Sequence, residues 1–199
     1  MTPLTKRIYQ PTPDQATTAC DQDAQPPVRW RDVARSGGIA SVLSTLAVSV
    51  CSRWRVGSAA TGTNAASQWL WYPRARFARA PSWRHTAVGY VIHHASSLLW
   101  ATGYEATRPA RASASGRAVR AAGIATLAYV VDYHVVPRRL SPGFEHKVGP
   151  AGMVAVYAAF AAGLWMSTRL ATRPPRGPQL LQQGQHAQQQ RGHQHRRPR

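Results

Sequence analysis

The longest apolar run of residues without a formal charge is 148–168, which contains 21 residues and ends before Arg169. About 20 apolar residues in a helix cross a hydrocarbon layer about 30 Å thick, so this run favours a membrane span over an ordinary core helix. Three further apolar segments precede it, at 37–52, 86–104 and 119–136. Together they predict an all-α, polytopic membrane protein, in which residues 35–170 form an antiparallel bundle of four transmembrane helices.

The regions outside these segments are polar. Residues 1–34 form a Pro-rich arm, and residues 171–199 form a tail rich in Gln, His and Arg. Such sequences cannot bury enough apolar surface to fold, so we expect both to be disordered. Residues 57–72 are too short and too polar to span a membrane. We expect them to lie at the interface as a short amphipathic helix.

Tryptophan lies near the ends of the predicted spans. Trp30 and Trp54 flank the first, Trp83 precedes the second, and Trp165 is close to the end of the fourth. Indole rings are enriched at the headgroup level of a bilayer because they combine an apolar body with a polar N–H group. Their placement supports a multi-pass location.

The chain is strongly basic, with 25 Lys and Arg against 7 Asp and Glu and a formal net charge of +18. A basic nucleic-acid-binding protein is therefore an alternative. The cations are spread over every segment between the apolar runs, which suits contact with anionic lipid headgroups better than a single nucleic-acid-binding patch. The expected partners are the lipid bilayer, its anionic headgroups, and another membrane protein or a second copy of this chain, and not nucleic acid.

Ionisable residues interrupt the second and third predicted spans. His93 and His94 lie in the middle of the second span and Glu105 follows its end, whereas Asp132 and His134 lie in the third. If these spans pair antiparallel, a rise of about 1.5 Å per residue places His93 about 4–5 Å deeper than Asp132, which permits an imidazole–carboxylate contact. Adjacent residues are about 100° apart on a helix, so the two histidines cannot face one partner.

Three roles are open for this cluster, because ionisable groups inside a membrane are costly and need partners. His93 or His94 could bind a transition metal with Asp132, His134 and Glu145, or could be an axial ligand of haem. The histidines and Asp132 could form a proton relay. They could instead satisfy their hydrogen bonds within the bundle and set the helix register. The last role fits a structural or accessory membrane component without enzymatic activity, which is the function that we expect, with no cofactor assigned.

The connection after the third span carries two arginines. Pro137 ends the span, and Arg138 and Arg139 follow it at the expected headgroup level. Glu145 could pair with either arginine, which predicts an interfacial elbow held by a salt bridge. Binding of a phosphate or lipid headgroup by the two arginines is an alternative, as is chemistry at Glu145.

The fourth span has a small residue at every fourth position. These residues lie on one face of a helix, where they let two helix backbones approach closely. They predict a helix-packing face made of Ala151, Ala155, Ala159 and Gly163.

Three elements of the sequence resemble an uncharacterised family of small bacterial inner-membrane proteins. They are HHASS at 93–97, the DY and VPRR pieces within 132–139, and PGFE at 142–145. The resemblance covers about residues 37–167 and implies four spans in the cell inner membrane, with no established activity. The residues that it singles out are Asn64, Trp69, His93, His94, Glu105, Asp132, Arg138 and Glu145.

Overall fold

The computed structural model describes residues 27–109 and 112–171 of the 199-residue chain. The predicted disordered tail at 171–199 lies almost wholly outside these ranges, as does most of the predicted arm at 1–34. The first helix begins at Trp30, so residues 30–34 are helical and do not belong to a disordered arm. This is a correction to the predicted boundary.

The described residues form six α-helices and no strand, which confirms the all-α class. A 3₁₀ helix at Arg74–Phe77 precedes α4, and π-helical turns at Trp83–Ala87 and Val131–Val135 adjoin α4 and α5. The six helices are α1 Trp30–Val56, α2 Ala60–Ala66, α3 Gln68–Trp71, α4 Val88–Ala106, α5 Ala114–Val130 and α6 Glu145–Ala171.

Local sequence explains where several helices end. Gly57 follows α1 with φ of 78°, and its N–H group donates to the Arg53 carbonyl at 3.1 Å, so it forms a left-handed C-terminal cap. The Ser113 hydroxyl accepts a hydrogen bond from the Gly116 N–H group at 3.0 Å and caps the start of α5. Gly149, with φ of 71° and ψ of 177°, breaks α6 immediately before Pro150.

The four long helices contribute to one apolar core. α1 packs mainly against α4, and the interior residues are mostly small, which lets the backbones come close. At Gly37, an added Cβ would meet the Leu98 and Ala101 side chains of α4. The core residues are Val33 and Ala40 of α1, Ala101 and Tyr104 of α4, Ala121 and Ala125 of α5, and Phe160 and Leu164 of α6.

The short helix α2 is inside the protein. Residues 61–68 are all buried, and α2 contacts both α1 and α4. An added Cβ at Gly62 would overlap the Ser52 side chain of α1, and one at Gly89 of α4 would overlap the Thr63 carbonyl oxygen. The polar side chains of Asn64, Ser67 and Gln68 have hydrogen-bond partners within the protein, whereas the predicted position at the membrane interface stays a prediction.

The packing face of α6 differs from the predicted stripe. Ala151 and Ala155 are exposed and Ala159 is half-buried, whereas Gly163 lies against Ala40 of α1 so closely that an added Cβ would overlap the α1 backbone. The buried face is displaced by one residue from the predicted one. It consists of Gly152, Val156, Phe160, Gly163, Leu164 and Ser167.

Two of the helices, α1 and α6, are long and apolar enough to cross a membrane by length and composition. The α4 and α5 helices have 19 and 17 residues, and neither reaches the same combination of length and hydropathy. Helix length and composition thus agree with a membrane protein, but they support two spans and not four.

Candidate functional site

A small, mostly apolar cavity with a few polar side chains in its wall lies among the long helices. Its volume is about 50 Å³, which is room for a few water molecules. Its walls include Ser44 of α1, His93 of α4, Asp132 of the π-helical turn after α5 and Tyr157 of α6. Aromatic side chains and apolar residues make up most of the remaining wall. His93 and Asp132 thus line one cavity.

His93 is bound to α1. Its Nε2 atom lies 2.8 Å from the Ser44 hydroxyl oxygen, and that hydroxyl oxygen lies 2.7 Å from the Ala40 carbonyl oxygen. Because a serine hydroxyl has one proton to donate, it donates either to the Ala40 carbonyl or to His93 Nε2, and the tautomer of His93 decides which. The contact with Ser44 joins the centres of α4 and α1.

Asp132 is bound to α6. The Tyr157 hydroxyl donates to its Oδ2 atom at 2.8 Å, and the Tyr157 ring packs edge-on against Tyr129 with centroids 5.4 Å apart. Asp132 lies in the π-helical turn Val131–Val135, where the wider turn changes the direction of the side chains relative to α5. The partner of Asp132 is therefore a tyrosine of the fourth long helix.

The other predicted cluster residues lie elsewhere. His94 is stacked on Tyr90 with ring centroids 5.8 Å apart, and His134 is exposed and packs edge-on against Tyr129 at 5.7 Å. Glu105 is buried near the far end of α4. His93 and His94 do have different partners, which agrees with their separation around the helix.

Glu105 belongs to a charged group at the end of α4. Its Oε2 atom lies 3.3 Å from the Arg108 guanidinium, which is also 3.8 Å from the Asp32 carboxylate of α1. Asp32 in turn lies 3.7 Å from Arg35. These contacts bring the start of α1 and the end of α4 together.

The contacts that fix the elbow after α5 are not the predicted ones. Arg138 and Arg139 are exposed, and the Glu145 carboxylate instead lies 3.4 Å from the His146 imidazole. The predicted salt bridge to an arginine does not form. The elbow is fixed instead by Gln68, whose Nε2 atom donates to the Ser141 carbonyl at 2.7 Å and to the Arg138 carbonyl at 3.1 Å.

Asn64 makes a second set of buried contacts that the sequence did not lead us to expect. Its side-chain amide donates to the Ala78 and Ala80 carbonyls at 3.0 Å each, and its oxygen accepts from the Thr86 hydroxyl at 2.6 Å. These bonds join α2 to the start of α4. Asn64 and Gln68 both lie in the short polar segment 57–72, between two apolar runs. Two amide side chains so close together in such a segment could have indicated a buried, hydrogen-bonded role.

A metal centre is not supported by this geometry. Among residues 27–109 and 112–171, no three His, Cys, Asp or Glu side chains lie close enough to hold a metal ion. The small cavity holds one histidine and one carboxylate, each hydrogen-bonded to a hydroxyl group. Its two ionisable side chains are thus one imidazole and one carboxylate, each with a hydroxyl partner on another helix.

No protein-family model, curated protein or solved structure matches this chain. The resemblance described from the sequence therefore stays an expectation, and the function is argued from the residues of this chain alone.

Proposed function

We propose that this chain is an integral, multi-pass protein of the cell inner membrane that acts as a structural or accessory component. The supporting observation is the distribution of polar and apolar side chains between the interior and the surface.

Large apolar side chains point outward along the long helices. Val154 of α6 is 72% exposed, Leu99 of α4 69% and Leu46 of α1 57%. The interior, in contrast, contains many hydroxyl and amide groups, such as fully buried Ser44 and Asn64. A water-soluble bundle buries its large apolar residues, whereas a helix in lipid can expose them and places polar and small residues between helices.

The same distribution supports four spans. Exposed apolar residues occur on α4 and α5 as well as on α1 and α6, including Val91, Leu99, Val119 and Leu127. Trp54, at the end of α1, is 83% exposed and Trp83, just before α4, is 89% exposed, as suits rings at the headgroup level. The contribution of all four long helices to one core supports a bundle in which each crosses the membrane.

Membrane extraction tests this proposal. We expect the full chain to stay with isolated bacterial inner membranes through washes with alkaline carbonate or high salt, and to be released by detergent. Integral proteins behave in this way because their apolar surface stays in lipid. Release by carbonate would contradict the proposal, and release by salt with recovery on nucleic acid would support the alternative of a basic nucleic-acid-binding protein.

The proposed accessory role is supported by the partners of the intramembrane polar residues. His93 bonds across to α1 and Asp132 bonds across to α6, so each polar group joins two different helices. Such interhelical hydrogen bonds define which residues face each other along a pair of helices. This is the register role that we consider best supported for the cluster.

Removing either hydroxyl partner should lower the stability of the protein without preventing it from folding. We expect Ser44→Ala and Tyr157→Phe each to lower the free energy of unfolding in detergent by about 1 kcal/mol. Tyr72→Phe is the matched control, since Tyr72 is exposed and should show no change. Wild-type stability in both variants would contradict the register role.

A proton relay is the second candidate, because His93 and Asp132 line one cavity that has room for water. Asp132→Asn separates the two candidates, since asparagine can still accept the Tyr157 hydrogen bond but cannot carry a proton at neutral pH. Proton flux through the wild-type protein in liposomes that is lost in Asp132→Asn would favour the relay. No flux in either protein would favour the register role.

A further inference from the structure

A long groove runs along the outside of the bundle between α5 and α6. Its volume is about 870 Å³, which is within the range of small-molecule binding sites. One end is lined by small apolar residues, among them Ala122, Ala158 and Ala161. The other end is polar and includes Arg55, Glu145 and His146. The groove is therefore amphipathic along its length.

The polar end carries a cation without an acidic partner. The ion pairs of the described residues involve Asp32, Glu105 and Glu145, and Arg55 is in none of them. The Arg55 guanidinium lies over Gly149. A Cβ atom added at Gly149 would come 2.8 Å from the Nη1 atom of Arg55. The groove thus has an unneutralised guanidinium at its mouth, which suits a phosphate group.

Two further polar atoms at this end have no partner. The Tyr133 hydroxyl and the Glu145 Oε2 atom are buried and make no hydrogen bond with any described residue. Both residues line the groove. Neither atom has surface open to the groove, but the Glu145 side chain is 30% exposed, so its other carboxylate oxygen can accept a hydrogen bond from a ligand headgroup.

We propose that this groove binds one phospholipid whose phosphate contacts Arg55, whose headgroup hydroxyl donates to Glu145, and whose acyl chain lies along α5 and α6. The inference rests on the proposed membrane location of the chain. It goes beyond general attraction of the cationic loops to a bilayer, because it assigns one bound molecule to one groove.

The dimensions of the groove support a lipid. Its wall on α5 and the π-helical turn that follows extends from Ala122 to His134, which is about 18 Å at the rise of an α-helix. One leaflet of a bilayer has a hydrocarbon depth of about 15 Å, half of the full core. An acyl chain with its headgroup at the polar end therefore matches both the length and the polarity of the groove, whereas free phosphate would leave the apolar end empty.

Lipid retention by the purified full chain tests the proposal. The delipidated protein in detergent is titrated with phosphatidylglycerol or phosphatidylcholine, and bound lipid is counted by native mass spectrometry. Both lipids have a phosphate, but only phosphatidylglycerol has a headgroup hydroxyl that can donate. We expect one phosphatidylglycerol to be retained, with an apparent Kd about tenfold lower than that of phosphatidylcholine. Equal retention of the two lipids, or binding of inorganic phosphate alone with the same affinity, would overturn the proposal.

Substitutions locate the bound molecule. Arg55→Gln should weaken phosphatidylglycerol binding about tenfold, whereas Arg53→Gln, two residues away on the same helix end but outside the groove, should leave it unchanged. Ala158→Trp should fill the apolar end and displace the lipid, and exposed Ala155→Trp, which is outside the groove, is its control. Equal effects within either pair would overturn the proposal.

Two other results have distinct meanings. If Ala158→Trp converts a dimer to a monomer without changing lipid retention, the groove is an interface between copies and the lipid proposal is wrong. If the chain is released from membranes by carbonate, the proposed membrane location fails, and this is measured before any lipid is added.

Discussion

Gly89→Ala is expected to lower the free energy of unfolding by about 3 kcal/mol, the upper part of the range for inserting atoms into a filled core. Gly89 is buried in α4, where the backbone of α2 crosses it, and an added Cβ would overlap the Thr63 carbonyl oxygen. That oxygen belongs to a backbone buried on all sides, so it cannot move away as a flexible side chain would. The measurement is thermal unfolding of the purified protein in detergent.

Gly123→Ala is the matched control for this substitution. Gly123 lies in α5, and an added Cβ there would meet nothing within 4 Å. Alanine in an open helical position restricts the unfolded chain, so stability should be unchanged or raised by about 0.5–1 kcal/mol. Equal behaviour of the two variants would mean that α2 does not lie against α4 at this point.

Asn64→Leu should have an effect of similar size. It keeps the branched shape and the number of heavy atoms of a side chain that is 0% exposed, but it removes three hydrogen bonds. The Ala78 and Ala80 carbonyls and the Thr86 hydroxyl would lose their partners, and at about 1 kcal/mol for each bond the total loss is about 3 kcal/mol. Unfolding by heat or denaturant in detergent measures it.

Thr86→Val removes one of the three bonds to Asn64 together with the exposed bond that the Ser82 N–H group donates to Thr86 Oγ1 at 2.9 Å, so it should cost about 1–2 kcal/mol. Thr102→Val is a control, because the Thr102 hydroxyl is exposed and donates only within its own helix. If Asn64→Leu cost no more than Thr86→Val, the two carbonyl contacts of Asn64 would contribute nothing to the fold.

The positions of the long helices could be predicted from the sequence. Uncharged runs are a strong signal because both membrane spans and buried helices require them, and each of the four predicted segments lies within a long helix or its adjoining π-helical turn. The segment at 57–72 could not be placed in the same way. Its position depends on hydrogen bonds to residues far along the chain, such as the bond from Gln68 to Ser141, which no local pattern reveals.

The candidate site was predicted only in part. Counting residues along two antiparallel helices predicted that a contact between His93 and Asp132 is possible, and in the structure both line one cavity without bonding to each other. Their partners, Ser44 and Tyr157, were missed because they lie on α1 and α6, and the rotation of these helices is not fixed by depth. The Ala-rich sequence of α6 contains several small-residue stripes, so composition alone could not select the buried one.

The buried position of α2 has a consequence for how the protein is assembled. This helix has seven residues and includes Thr61, Thr63 and Asn64, so it is too short and too polar to enter a lipid bilayer alone. Its binding surface is formed by α1 together with α4, and α4 is synthesised after α2. If the chain spans a membrane as proposed, residues 57–82 stay outside the hydrocarbon layer until α4 is in place, and α2 packs between α1 and α4 last.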